Sequence, residues 1–167
     1  MNCVLIDACG WAALIDAGLN LDVSMSKVIG KPKYLLLSKV RDINPNYFFS
    51  LDSDILLTNE NTIELLIAHV NSGADAVSPL MFMTPTNTMY PSIMNWLKEP
   101  GGQAYRKEKY PLGEYFQSDV IMAAKMMSRD VYKNVDYSLH TQGEDLGWSG
   151  NAAKMGYKLY SASYLYA

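Results

Sequence analysis

Cysteine is scarce in this chain: Cys3 and Cys9 are the two among 167 residues. They are spaced too widely for a CxxC pair and have no histidine close by. A disulfide framework and a thiolate metal site are both unexpected; free thiols in a reducing compartment are the expectation, which points to a cytoplasmic location. No stretch reaches the roughly 18 apolar residues of a membrane-spanning helix. No basic region followed by a long apolar run opens the chain, so no signal peptide is expected. A Lys/Arg cluster interleaved with aromatics is lacking too, and the net charge is −3. That balance argues against a nucleic-acid partner.

What remains is an ordinary globular composition, 49% hydrophobic and 19% charged. The length fits one domain, residues 1–167, with a sizeable core. Twelve Tyr and 10 Met are a rich supply of side chains that fill irregular space.

The chain is organised around Tyr47-Phe-Phe-Ser-Leu51, which runs directly into Asp52-Ser53-Asp54. Both parities of the run are apolar apart from Ser50, the pattern of a strand covered on both faces of an α/β sheet. A buried carboxylate is costly unless paired, so Asp52 and Asp54 belong where the strand leaves the sheet. Ligands of open α/β sheets bind at that edge. Two acids there either cap the next turn or offer hard oxygen ligands to Mg²⁺ or Mn²⁺.

Around this centre the pattern alternates strand and helix. Cys3–Asp7 reads as a short strand, and Asp7 either caps a helix over 11–15 or touches a nucleotide. Residues 31–43 read as a helix with Pro32 in its first turn. Its Lys33, Lys39 and Arg41 are solvated, or meet phosphate if one faces the strand edge. A helix opens at Thr58-Asn59, with Asn59 as N-cap and Ile63, Leu66, Ile67 and Val70 on one face. His69 lies off that face and reads as a surface residue. Residues 74–83 read as the next strand, and such βαβ alternation predicts a mostly parallel sheet. From Thr84 to Gly113 prolines and glycines break the pattern, and Trp96 and Tyr105 suit either a ligand-stacking flap or a surface excursion. Val120-Ile-Met-Ala-Ala124 reads as a strand with Asp119 just before it, and Ser128 opens a short helix through Val135. A second acidic pair, Glu144-Asp145, opens a last helix that ends near Gly156. A strand begins at Tyr157.

The two acidic motifs in this order resemble GT-A glycosyltransferases. Asp52-Ser53-Asp54 after a buried strand looks like their DxD motif. Gly143-Glu144-Asp145-Leu146, with Ala153-Lys-Met-Gly-Tyr-Lys-Leu-Tyr160 after it, resembles the ED motif of family 2-like members. The likeness covers residues 31–160. It implies a GT-A-like, Rossmann-like α/β domain with a mostly parallel sheet flanked by helices. Cys3–Asp7 would correspond to the second strand, with the family's first nucleotide-binding strand lacking, and no metal-binding His follows Tyr160. The implied activity is transfer of a sugar from a UDP- or GDP-linked donor to a sugar, lipid or protein hydroxyl. By resemblance Asp52, Ser53, Asp54 and Asp7 would contact the nucleotide. Asp52 and Asp54 would hold Mn²⁺ or Mg²⁺. Asp145 would act as general base, with Glu144 as support or alternate. Asp119, Trp96 and Trp148 would line the acceptor side. Asp54 and Asp145 should then face one cleft about 6–12 Å apart, the scale of carboxylates that flank a sugar.

Two other readings compete. A non-catalytic module would keep the fold and bind saccharide or a protein. A nucleotidyltransferase would need a Gly-rich basic loop, and residues 3–33 offer none. Exposed Tyr and Met at a sheet edge leave room for a homo-oligomer.

Overall fold

The computed structural model describes residues 3–7, 25–52, 55–83 and 90–167. The expected helix over 11–15 and the motif residues Ser53 and Asp54 lie outside them. In chain order the elements are β1 (Cys3–Asp7), α1 (Met25–Ile43), β2 (Tyr47–Leu51), α2 (Thr62–Asn71) and β3 (Ala76–Leu80). Four short strands follow: β4 (Phe82–Met83), β5 (Tyr90–Pro91), β6 (Met94–Trp96) and β7 (Ala104–Arg106). Then come β8 (Tyr115–Gln117), β9 (Lys125–Ser128), α3 (Arg129–Asn134), α4 (Glu144–Lys154) and β10 (Leu159–Tyr166).

One six-stranded sheet, in the order β1-β2-β9-β3-β10-β8, carries the fold. The expected mostly parallel sheet is corrected here. β1–β2 and β3–β10 are parallel, whereas β2–β9, β3–β9 and β8–β10 are antiparallel. Helix–strand alternation does make β2 and β3 run the same way. It does not make them neighbours, and β9 returns between them.

β2 is covered on both faces, as its two-parity apolar pattern requires. Phe48 packs with Leu37 and Val40 of α1, Tyr132 of α3 and Trp148 of α4. Phe49 packs on the opposite side with Leu66 and Ile67 of α2 and Leu165 of β10.

Several boundaries differ from the sequence reading. α1 begins at Met25, so Pro32 lies inside the helix and not in its first turn. α2 begins at Thr62; Asn59 instead builds the turn before it, accepting the Asn61 N–H at 2.8 Å and the Thr62 N–H at 3.1 Å. His69 is partly buried, stacked on Tyr115 at 4.0 Å and bonded to Tyr164. Residues 74–83 split: β3 stays in the main sheet, while β4 pairs with β5 in a sheet of its own. The irregular stretch after Thr84 contains an antiparallel hairpin, β6–β7.

The largest correction concerns residues 120–124. Val120, Ile121 and Ala124 are buried as expected, but the strand begins only at Lys125. Ala123 has φ 45°, which no strand tolerates. The buried loop survives because α4 serves its backbone groups. Ser149 Oγ accepts the Ile121 N–H at 3.3 Å and donates to the Ile121 carbonyl at 3.2 Å. Asp145 Oδ2 accepts the Ala123 N–H at 2.8 Å.

Two glycines let α4 sit this deep. A Cβ at Gly147 would lie 2.0 Å from the Ser138 carbonyl oxygen, and one at Gly150 would lie 2.5 Å from Gly101 Cα. Alanine in a helix is ordinarily better than glycine by about 1 kcal/mol. Here the sign reverses: Gly150→Ala is expected to destabilise by about 1–3 kcal/mol, the usual overpacking range. Urea unfolding of Gly150→Ala and Gly147→Ala checks this; a stabilised variant would mean the contact gives way freely.

Candidate active site

Asp52 follows β2 directly, at its carboxyl end. The register sets Asp7 opposite Leu51, so the backbone of Asp7 ends at the same edge; its side chain lies outside the described part. Glu144 and Asp145 open α4, as their pairing in the sequence suggests. Gly143 enters that helix at φ 123°, a conformation that favours glycine. The fold brings the two acidic motifs together: ligand oxygens of Asp52, Glu144 and Asp145 all lie within 4.8 Å of one another.

Local helix capping does not account for this convergence. Asp145 is buried, and neither oxygen is spent on a cap bond to α4. Its Oδ2 accepts the Ala123 N–H, and its Oδ1 accepts from Lys125 and from Lys33. Lys33 of α1 reaches all three acids. Its Nζ is 3.0 Å from Asp52 Oδ1, 2.8 Å from Glu144 Oε1 and 3.4 Å from Asp145 Oδ1. Lys125 is fully buried beneath aromatic faces, 5.0 Å from the Trp148 ring centre and 5.3 Å from that of Tyr137. Such faces attract a desolvated cation.

The electrostatics follow from these pairs. Burial alone would raise the Asp145 carboxyl, but Lys125 and Lys33 outweigh it and hold it well below the usual carboxylate range. Burial would lower Lys33 and Lys125; the acids, Asp145 foremost, hold both above the usual lysine value. Asp52 is pushed up by burial, with Lys33 pulling the other way. Asp145, held so acidic, is a poor proton acceptor at neutral pH.

The donor set could hold a metal: three carboxylates are hard ligands at suitable mutual spacing. The space between them is filled by an ammonium, however, so a cation can take that position only if Lys33 leaves it.

The expected acceptor residues are placed unevenly. Trp96 and Asp119 meet, the Trp96 backbone N–H donating to Asp119 Oδ2 at 3.0 Å. Trp96 also lies near His140, which bonds the Gly102 carbonyl at 2.8 Å. Gln142 latches the hairpin to the loop before α4 through both backbone groups of Ala104. Trp148, expected on the acceptor side, is fully buried under Lys125.

Lys125 is not among the expected site residues, and Lys33, expected to be solvated or to meet phosphate at the strand edge, meets the three acids instead. Lys125 carried a readable signal: a lone lysine inside a long apolar run must be paired if the run is buried.

No family model matches the sequence, and no curated protein matches it. Solved structures do. The crystal structure of A197 from STIV matches with TM-score 0.59 at 13% identity, over 91% of this chain and 73% of that one. GalNAc-T7 with UDP, GalNAc and Mn²⁺ matches with TM-score 0.58 at 13% identity, over 81% of this chain. That match spans 29% of the GalNAc-T7 chain. The fold resembles GT-A structures. At this identity the likeness shows the fold alone. Among the described residues no helix is long and apolar enough to cross a membrane.

Proposed function

We propose that the chain transfers a sugar from a UDP- or GDP-linked donor to an acceptor hydroxyl. One observation carries this reading. The acid after β2 and the acid pair of α4 converge at one sheet edge, in a fold resembling that of a protein solved with UDP, GalNAc and Mn²⁺.

The acceptor oxygen forms a bond to the anomeric carbon as the bond to the nucleoside diphosphate breaks. The acceptor proton passes to a carboxylate. Between the two candidates, the environment favours Glu144. Both oxygens of Asp145 are engaged and its carboxyl is strongly acidic. Glu144 gives Oε1 to Lys33. Asp145 then acts by fixing Lys33 and Lys125. Asp52 meets the donor's ribose or a cation, and Lys33 supplies positive charge beside the leaving diphosphate. A divalent Mn²⁺ or Mg²⁺ held by Asp52 with Asp54 would add Lewis-acid stabilisation of that leaving group. Trp96 and Asp119 would contribute to the acceptor side.

A binding-only module is the second reading. It is favoured by the ion pairing of all three acids to Lys33. Donor hydrolysis without acceptor separates the two. Incubation with UDP- and GDP-sugars plus Mn²⁺ is expected to release free sugar, and release should fall sharply in Asp52→Asn. Tight binding of a nucleotide sugar with no release would favour the binding module.

A further inference from the structure

We infer that Lys33 is a built-in counter-cation: its ammonium and a divalent metal are alternative occupants of the space among Asp52, Glu144 and Asp145. The inference rests on the reading of this edge as the donor site and names how that site is controlled. A metal among these acids would bind at the oxygens that already face Lys33, at 3.0, 2.8 and 3.4 Å. Lys33 is buried, so its charge is shielded little by water. A dication entering beside it would meet an unscreened like charge. Lys125 cannot make way in the same manner. It is enclosed by Trp148, Tyr137 and Asp145. Lys33 also lies near Tyr137, 5.8 Å from its ring centre, but two of its acid partners, Asp52 and Glu144, are partly exposed, an opening that Lys125 lacks. A flexible four-carbon stem lets the ammonium swing toward that opening. A diphosphate arriving there would draw Lys33 outward and free the acids. Metal would then bind in company with the nucleotide and weakly without it.

The test uses Mn²⁺ alone, with no nucleotide or sugar, titrated calorimetrically into the full chain. Wild type is expected to bind weakly. Lys33→Gln should bind at least about tenfold tighter, a modest fraction of what removing a unit charge a few Å away yields at intermediate dielectric. Lys33→Arg keeps the charge and should bind no tighter than wild type. Adding Asp52→Asn to Lys33→Gln should abolish the gain. Equal affinity in wild type and Lys33→Gln overturns the inference, as does a gain shared by Lys33→Arg or one that survives loss of Asp52. If Lys33→Gln is unfolded in metal-free buffer, Mn²⁺ should restore its circular dichroism; failure to restore it overturns the inference equally. None of these outcomes bears on sugar transfer, which stands or falls on donor turnover.

Discussion

Lys125→Met is expected to lower the free energy of unfolding by about 3–5 kcal/mol, the range for removing one partner of a buried ion pair. Lys125 is fully buried and bonds Asp145, which is buried with it. Methionine keeps most of the volume, so the loss would come from the uncompensated carboxylate. For a domain with a typical stability of about 5–15 kcal/mol this is a large share. The pH dependence gives an independent signature. Asp145 has a folded pKa below its unfolded value near 3.9, so its contribution is present above about pH 4 and is lost as pH falls through the folded value. Lys33 and Lys125 have folded values above about 10.4, so theirs is complete below that pH and is lost as pH rises through the folded values. Wild-type stability should therefore be flat in these groups between about pH 4 and pH 10. In Lys125→Met the Asp145 carboxyl loses its nearest cation while burial still raises it, so its folded pKa moves up towards or past the unfolded value and the loss of stability below about pH 4 should shrink or reverse. Urea unfolding across pH checks both. A variant as stable as wild type, with the same acid limb, would show that the pair contributes nothing net.

Glu144→Gln is expected to reduce sugar transfer by about 10²–10⁴-fold, the range for loss of a general base. The effect should fall on kcat. Glu144 is the acid of the pair with less of its surface committed, since Lys33 takes Oε1 while Asp145 is engaged by two lysines and the Ala123 N–H. Glutamine preserves size and can still accept a hydrogen bond, but cannot take up a proton near neutral pH. Measuring kcat and KM with a UDP- or GDP-sugar distinguishes this from a structural role, which would raise KM or lower stability instead. An unchanged kcat in Glu144→Gln, with loss in Asp145→Asn at intact stability, would return the base to Asp145.

The legible parts of this fold were those set by local chemistry. Phe48 and Phe49, apolar on adjacent positions, announced a strand covered on both faces, and they pack in two separate clusters. The Ser128 cap and the Glu144-Asp145 helix start were readable because each depends on a few neighbouring residues. What the sequence hid was long-range. Nothing local to β9 says that it returns antiparallel between β2 and β3. The run 120–124 is apolar enough for a strand, and it stays a loop because Asp145 and Ser149, far along the chain, satisfy its backbone. The acidic half of the candidate site was visible as two motifs. The basic half was legible only as hints, a lysine within an apolar run and a base on α1, because the partners of Lys33 and Lys125 are fixed only when α1 and β9 are placed against α4.

The central claim is that one sheet edge, bounded by Asp52 and the start of α4, receives a nucleotide-linked sugar. The most direct measurement is a crystal soaked with UDP or GDP and Mn²⁺. The account predicts a nucleoside diphosphate beside Asp52 at the end of β2, with its phosphates toward Lys33 and the first turn of α4. It also predicts Asp54 facing the same cleft as Asp145, about 6–12 Å away, the scale of paired carboxylates around a sugar. A nucleotide bound elsewhere on the chain, or Asp54 and Asp145 on opposite faces of the sheet, would contradict it.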